Sequence, residues 1–361
     1  MEKIIKKKLD LSLLRKLIKI RSLSCDQKKC LKALKLIEDK LIKQNIPCLI
    51  NQNNGFYYLV AGNLNEANFL FLSHIDVIDA ENEQFMLKND GDKFYGRGVL
   101  DMKGPLISTL IAFIRLWKNN FRNFLFVITS DEEIGGFNGS NFLTQSTFSK
   151  IKAALIPDSI GEELVVIQKA PYHIKINSLG KSSHGSKPWN GINALYNISQ
   201  CCIDLVKKID KNMPDKTSAA ITQISGGKST NTIPGEAIAT LDIRILRQSE
   251  VKKIIEIIDQ VTKKWKCTWE NIDEPFFFEL SKKNSIFNKW SQIYKKINNV
   301  NLKTKIESGA SDARFLWHFL KVPVIVTSVV GGGAHSKEEW VNIKSLEKLT
   351  KTIESFGEKI N

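Results

Sequence analysis

The chain is 361 residues long, 42% apolar and 25% charged, with a formal net charge of +15. That length exceeds one ordinary core, so two domains are expected, and the composition is that of a folded protein rather than a disordered or fibrous one. The basic excess is spread over lysines, with only eight arginines; no Arg/Lys cluster interleaved with aromatics marks a nucleic-acid surface, and no apolar run of about 18 residues marks a membrane span. Six cysteines at 25, 30, 48, 201, 202 and 267 show no Cys-x-x-Cys pair and read as the reduced thiols of a cytoplasmic protein. Charges every few residues through Arg21 leave no signal-peptide core. The dense run Lys6-Lys7-Lys8 reads as the solvated start of an amphipathic helix.

In chain order, residues 67–73 form a short apolar strand that ends in His74-Ile75-Asp76. Residues two apart share a strand face, so Asp76 can orient the His74 imidazole. Residues 93–98 lead to Asp101, in a glycine-flanked turn before a helix over 105–117. Residues 124–128 make a buried strand, followed by Thr129-Ser130-Asp131-Glu132-Glu133-Ile134-Gly135-Gly136. Asp131 suits a turn or helix start. Residues 153–156 end in Pro157-Asp158, and residues 322–326 run into Gly331-Gly332-Gly333-Ala334-His335-Ser336. Between them, residues 172–179, 193–209, 217–225, 236–245, 250–265 and 266–272 read as strand, helix, strand, strand, helix, strand, the split order of a ferredoxin-like sandwich. His173 within it, and His318 in the helix-like stretch 313–320, read as structural.

Metal-competent side chains stand on both sides of that module, so it interrupts one domain. The expected division is 1–169 and 280–361 for a catalytic domain and 170–279 for an inserted α+β lid or dimerisation domain. The outer segments alternate strands and helices, which predicts an α/β layered fold around a mainly parallel central sheet with functional residues at strand ends. His74, Asp101, Glu133, Asp158 and His335 each sit where an apolar run ends. Two zinc-class ions about 3.5–4 Å apart need a bridging carboxylate plus a histidine and a carboxylate each. His74, Asp101 and Asp158 on one side, with Asp101, Glu133 and His335 on the other, supply that count. Imidazole and carboxylate suit two Zn2+, with Co2+ or Mn2+ as substitutes. Glu132 points away from its neighbour and is left to act as general base.

The segments Ser73-His74-Ile75-Asp76, Tyr95-Gly96-Arg97-Gly98-Val99-Leu100-Asp101-Met102-Lys103-Gly104 and the run from Thr129 to Gly136 resemble those of the dinuclear zinc amidohydrolase and peptidase family. That family includes succinyl-diaminopimelate desuccinylase, acetylornithine deacetylase, aminoacylase and the glutamate carboxypeptidases. The resemblance implies that His74 and Asp158 hold one metal, Glu133 and His335 the other, with Asp101 bridging, Asp76 orienting His74 and Glu132 as catalytic base. It also makes His184, in Gly180-Lys181-Ser182-Ser183-His184-Gly185-Ser186-Lys187-Pro188, the residue that stabilises the oxyanion, reaching a partner's site in a homodimer. Asn231 in the Asn-x-Ile-Pro segment, Arg244 in the Asp-x-Arg segment and Gly309 become substrate contacts. Arg244 can grip a carboxylate in bidentate fashion; its other use is to pair with Asp242 or another acid.

The function implied is hydrolysis of an amide bond in an N-acylated amino acid, in the manner of a desuccinylase or deacetylase. Pro157-Asp158 stands where desuccinylases carry Glu-Pro, and Glu307-Ser308-Gly309-Ala310-Ser311-Asp312 also departs from their pattern. A carboxypeptidase or dipeptidase acting on a short peptide is therefore the alternative, and an inactive metal- or nucleic-acid-binding relative is a remote one. An intact Glu132 argues against the inactive form.

Overall fold

The computed structural model describes residues 9–211 and 213–360, so Lys6-Lys7-Lys8 lies outside the described residues. The chain divides into two compact units, one of Met1–Val166, Glu279–Lys305 and Ser311–Asn361, the other of Ile167–Phe278 and Ile306–Ala310.

The first unit opens on two helices, α1 (Leu11–Lys19) and α2 (Gln27–Ile42). Asp10 and Asp26 cap them by accepting from the Leu13 and Lys29 N–H groups, which satisfies orphan donors of the first turn. Strands β1 (Cys48–Asn53) and β2 (Phe56–Gly62) form a hairpin. Its two-residue loop is Asn54-Gly55, both at positive φ, the chemistry a tight hairpin turn demands.

Strand β3 (Phe69–His74), helix α3 (Lys103–Lys118), strand β4 (Phe124–Thr129) and strand β5 (Ala153–Ile156) follow. All residues of β3, β4 and β5 are buried, as expected of strands covered on both faces. Strands β3 and β4, β3 and β5, and β5 with a later strand, Val324–Val326, all pair in parallel. The order from one edge is β1, β2, β4, β3, β5 and then Val324–Val326. Where β2 meets β4, and where Val324–Val326 meets Leu164–Gln168, the pairing is antiparallel. The sheet is thus mainly parallel at its centre. Phe71 and Phe124 stack at 5.3 Å between ring centroids, and Phe69 meets Phe356 edge-on at 5.8 Å. Each such ring contributes about 1.5–3 kcal/mol by leaving water.

In the second unit, strands β6 (Ala170–Leu179), β7 (Ser218–Gly226), β8 (Glu236–Ile245) and β9 (Cys267–Asn271) alternate with helices α4 (Ala194–Ile209) and α5 (Val251–Lys264). The order β7, β8, β6, β9 is antiparallel throughout, the ferredoxin-like arrangement. Along β6 alternate residues are buried, because one face carries the helices. Segment Ile306–Ala310 joins this unit, whereas the sequence placed it with 280–361. Lys169 N–H donates to Glu307 O at 3.1 Å, and Gln168 reaches the Glu307 carboxylate at 3.3 Å.

No helix among the described residues is long and apolar enough to cross a membrane. The stretch 313–320, expected as one helix, is a single α turn, Ala313–Phe315, followed by the π-helical turn Leu316–Leu320.

Candidate active site

The parallel register aligns the ends from which the functional loops leave. His74, the last residue of β3, sits opposite Thr129, the last of β4. Beyond Thr129 the chain makes the short turn Glu132–Ile134, closed by Gly135 and Gly136 at φ 110° and 70°. A Cβ on Gly136 would come within 2.3 Å of Asp312 Oδ1, so both the backbone conformation and the space demand glycine there. Asp158 lies two residues past β5. Asp101 lies between Gly98, at φ 81°, and the start of α3. His335 itself adopts φ 63°, a left-handed conformation that costs a non-glycine residue on the order of 1 kcal/mol and collects at functional sites.

All seven residues of the first unit singled out from the sequence converge. Asp101 faces both histidines: Oδ1 is 3.1 Å from His74 Nε2, and Oδ2 is 3.2 Å from His335 Nε2. His335 Nε2 is also 3.1 Å from Glu133 Oε2. Donor atoms gather in two trios, His74 with Glu132 and Asp158, and Asp101 with Glu133 and His335, each within 4.8 Å. Glu132 Oε2 stands 3.9 Å from His74 Nε2. The adjacent glutamates therefore aim at different trios.

The electrostatics are those of too many acids in too little water. Burial, then the charge of Asp158, pushes the Glu132 carboxyl well above the usual range, and burial also raises Glu133. Against its own burial, Asp101 is held low by hydrogen bonds from His335 and His74. Hydrogen bonds to Asp101 and Glu133 lift His335 to about 10, and Asp101 and Asp76 raise His74 despite its burial. Two imidazoles and four carboxylates, negative in sum and mostly shielded, are donors that fit divalent cations of the zinc class.

Asp76 is fully buried, and its role is broader than the sequence indicated. His74 Nδ1 lies 3.0 Å from the Asp76 backbone carbonyl and 3.4 Å from its carboxylate. The carboxylate also accepts from Ser24 Oγ at 2.7 Å and from the Glu133 and Glu132 N–H groups at 3.1 and 3.4 Å. Asp76 thus touches both the histidine, chiefly through its backbone carbonyl, and the glutamate turn, through its carboxylate. Asp131 accepts from the Asn138 and Gly139 N–H groups at 2.7 and 3.0 Å, a turn residue as expected. Burial, then the charge of Asp312, lifts it to about 7, and burial raises Asp312 to about 6.

Sequence reasoning missed Ser24, Asp312, Lys103 and Glu339. Ser24 belongs to no motif, whereas Asp312 ends the segment 307–312 and Lys103 follows Asp101 by two residues within the segment 95–104. Its buried ammonium donates to the Leu17 and Ile20 carbonyls at 3.1 and 3.0 Å, closing the end of α1 onto the Asp101 turn.

His184, Asn231, Arg244 and Gly309 belong to the second unit. His184 is exposed, with Nδ1 2.8 Å from Ser186 Oγ, and pairs with Thr232 in a two-residue ladder. Asn231 is its neighbour there, since Gly185 N–H donates to Asn231 O at 2.6 Å. Arg244 spends Nε and one terminal nitrogen on Asp242 at 2.7 and 2.8 Å. The bidentate grip is therefore on an internal acid. A Cβ on Gly309 would meet open space.

The model of Peptidase family M20/M25/M40 matches residues 70–359. A succinyl-diaminopimelate desuccinylase of Vesicomyosocius okutanii subsp. Calyptogena okutanii is 29% identical over 309 residues, covering 78% of this chain and 81% of that protein. Among solved structures, the M20 family metallo-carboxypeptidase Sso-CP2 of Sulfolobus solfataricus superimposes with a TM-score of 0.77 at 17% identity, covering 96% of this chain and 98% of that one. A Staphylococcus aureus tripeptidase does so with a TM-score of 0.77 at 19% identity, covering 97% and 98%. With the family match extending over most of its length, the chain belongs to peptidase family M20/M25/M40 and is a metal-dependent amidohydrolase.

Proposed function

We propose that this protein uses two divalent cations, zinc in the first instance, to hydrolyse the amide bond of an N-acylated amino acid, with a succinyl or acetyl group as the acyl part. The observation that carries this reading is the pair of trios, with the Asp101 carboxylate turned to both histidines and Glu132 and Glu133 parted between them. His74 and Asp158 would hold one cation, Glu133 and His335 the other, and Asp101 both. When bound, the cations supply Lewis acidity that acidifies water and polarises the scissile carbonyl.

The remaining work falls to side chains. Glu132 takes the proton from the attacking water and returns it to the departing amine, a task open to a carboxylate that stands apart from the trio of Asp101, Glu133 and His335. Asp76 keeps His74 and the glutamate turn in place. His184 donates to the developing oxyanion, Asn231 and Gly309 contact substrate, and Arg244, whose Nε and one terminal nitrogen are held by Asp242, does so through its other terminal nitrogen. A cavity of about 480 Å³, lined by Arg21, Asp79, Arg97, His335 and Lys337 among others, has room beside the site for a charged amino-acid substituent.

A homodimer accords with β7, an edge strand whose Ile221 and Ile224 are 40% and 46% exposed, since unpaired apolar edges invite a partner. Six free cysteines accord with a cytoplasmic setting.

Desuccinylase-named relatives favour the deacylase reading. Aspartate at 158, together with the carboxypeptidase and tripeptidase folds above, favours the second, a carboxypeptidase or dipeptidase of the same family. The deciding experiment is kcat/KM of zinc-loaded protein on N-succinyl-diaminopimelate, N-acetylornithine, N-acetyl amino acids and dipeptides. Strong turnover of an acylated amino acid supports the first reading. Silence there with dipeptide cleavage replaces it by the second.

A further inference from the structure

Glu339 lies four residues past His335 and is 1% exposed. It directly precedes the short strand Trp340–Asn342, which pairs antiparallel with Lys93–Tyr95 in the register Trp340 to Tyr95. Gly96 N–H extends that ladder by donating to Glu339 O at 3.1 Å. The register delivers the Glu339 side chain to the turn that presents Asp101. There Oε2 accepts from Gly98 N–H at 3.0 Å and Arg97 Nη1 at 2.8 Å, while Oε1 accepts from Leu100 N–H at 2.9 Å and Asp101 N–H at 3.1 Å.

A carboxylate offers about four lone-pair sites, and all four are used. The second terminal nitrogen of Arg97 donates to Ser336 O at 3.1 Å, and Gln84 Nε2 donates to the same carbonyl at 2.9 Å. Glu339 and Arg97 together therefore tie the Asp101 turn to the His335 turn. The separation of Asp101 Oδ2 and His335 Nε2, 3.2 Å, is set by two loops rather than by neighbouring strands, so a buried charged clamp is what holds it.

We propose that Glu339 is a positioning residue for the cation site of Asp101, Glu133 and His335, fixing the Asp101 carboxylate relative to His335 through the backbone of residues 98–101. The inference rests on the reading of those three side chains as metal donors. Glutamine at 339 has nearly the same shape, but its NH2 group faces donors where a carboxylate oxygen accepted. At least one backbone N–H or the guanidinium is then left unmet, and the turn shifts. Partners that orient metal ligands in this way change affinity by about 10–100-fold when removed.

The test is competition for Zn2+ between apo protein and a chromophoric chelator, for wild type, Glu339→Gln, Arg97→Lys and His335→Ala, with Tm, kcat and KM recorded. Ser108→Ala serves as a control, because it removes another buried hydrogen bond of the first unit, Ser108 Oγ to Leu346 O at 3.0 Å. Glu339→Gln is expected to weaken one Zn2+ site about 10–100-fold and lower kcat with KM little changed. Arg97→Lys shifts the same site by less, and Ser108→Ala lowers Tm with both affinities intact. Wild-type affinity and kcat in Glu339→Gln, with only Tm reduced, overturn the proposal. Should that variant not fold, unchanged affinity in Arg97→Lys overturns it as well. Failure of the metal reading is seen separately, as equal Zn2+ binding by wild type and His335→Ala, and takes the positioning role with it.

Discussion

Glu132 and Glu133 are consecutive, yet one lies 3.9 Å from His74 and the other 3.1 Å from His335. This division allows one to serve as base while the other ligates. Glu132→Gln should keep the metal content and lose about 10²–10⁴-fold in kcat, read by mass spectrometry of the metal beside steady-state kinetics. Loss of a metal ion from that variant would instead make Glu132 a ligand beside His74 and Asp158. At this scale the sequence was legible where each acid or imidazole ended a strand, because the side-chain type and the strand end together limit what the residue can do. It was illegible for Asp312, whose contact with the Gly136 turn joins positions far apart in the chain, and for Arg244, whose strand position was visible but whose pairing with Asp242 was one of two open uses.

Between elements, α3 packs on the terminal helix, Ile343–Ile360, through a glycine. A Cβ at Gly357 would lie 2.5 Å from Leu116 Cδ1, and the neighbouring Phe356 meets Phe69 and Trp290. Gly357→Leu should overpack this contact and cost about 1–3 kcal/mol, seen as a lower Tm with the Zn2+ affinity of the site unchanged. Continuous apolar runs made β3, β4 and β5 legible, and alternation made β6 legible. The π-helical turn Leu316–Leu320 was not, since its apolar spacing serves an α-helix equally well. The small strand before Lys344 was hidden for another reason: Trp340–Asn342 has meaning only against Lys93–Tyr95.

Across the whole molecule, the second unit carries its own charge network and should respond to pH apart from the metal site. Hydrogen bonds to Asp242 and Asp273 raise His173 to about 9, and His173 and Arg244 hold Asp242 down to about 2 against its burial. Stabilisation from the histidine is complete below its ordinary value of 6.5 and is lost as pH rises toward 9; that from Asp242 is present above its ordinary value of 3.8 and is lost toward pH 2. His173→Gln should therefore be less stable than wild type by roughly 1–2 kcal/mol at pH 6, allowing for solvent screening, and nearly equal to it at pH 9.5, as denaturant melts would show. The net charge of +15 should draw in anionic substrates, so kcat/KM for a dicarboxylate should fall as salt is raised; salt-independent values would dismiss steering. The central claim, amide hydrolysis at a two-cation centre built from both trios, is tested most directly by the metal content and turnover of one purified preparation before and after chelation, with His74→Ala and His335→Ala alongside. The account predicts two ions per chain, activity lost with them and restored by Zn2+, and fewer ions in each variant. Full turnover after chelation, or an unchanged metal count in both variants, would contradict it.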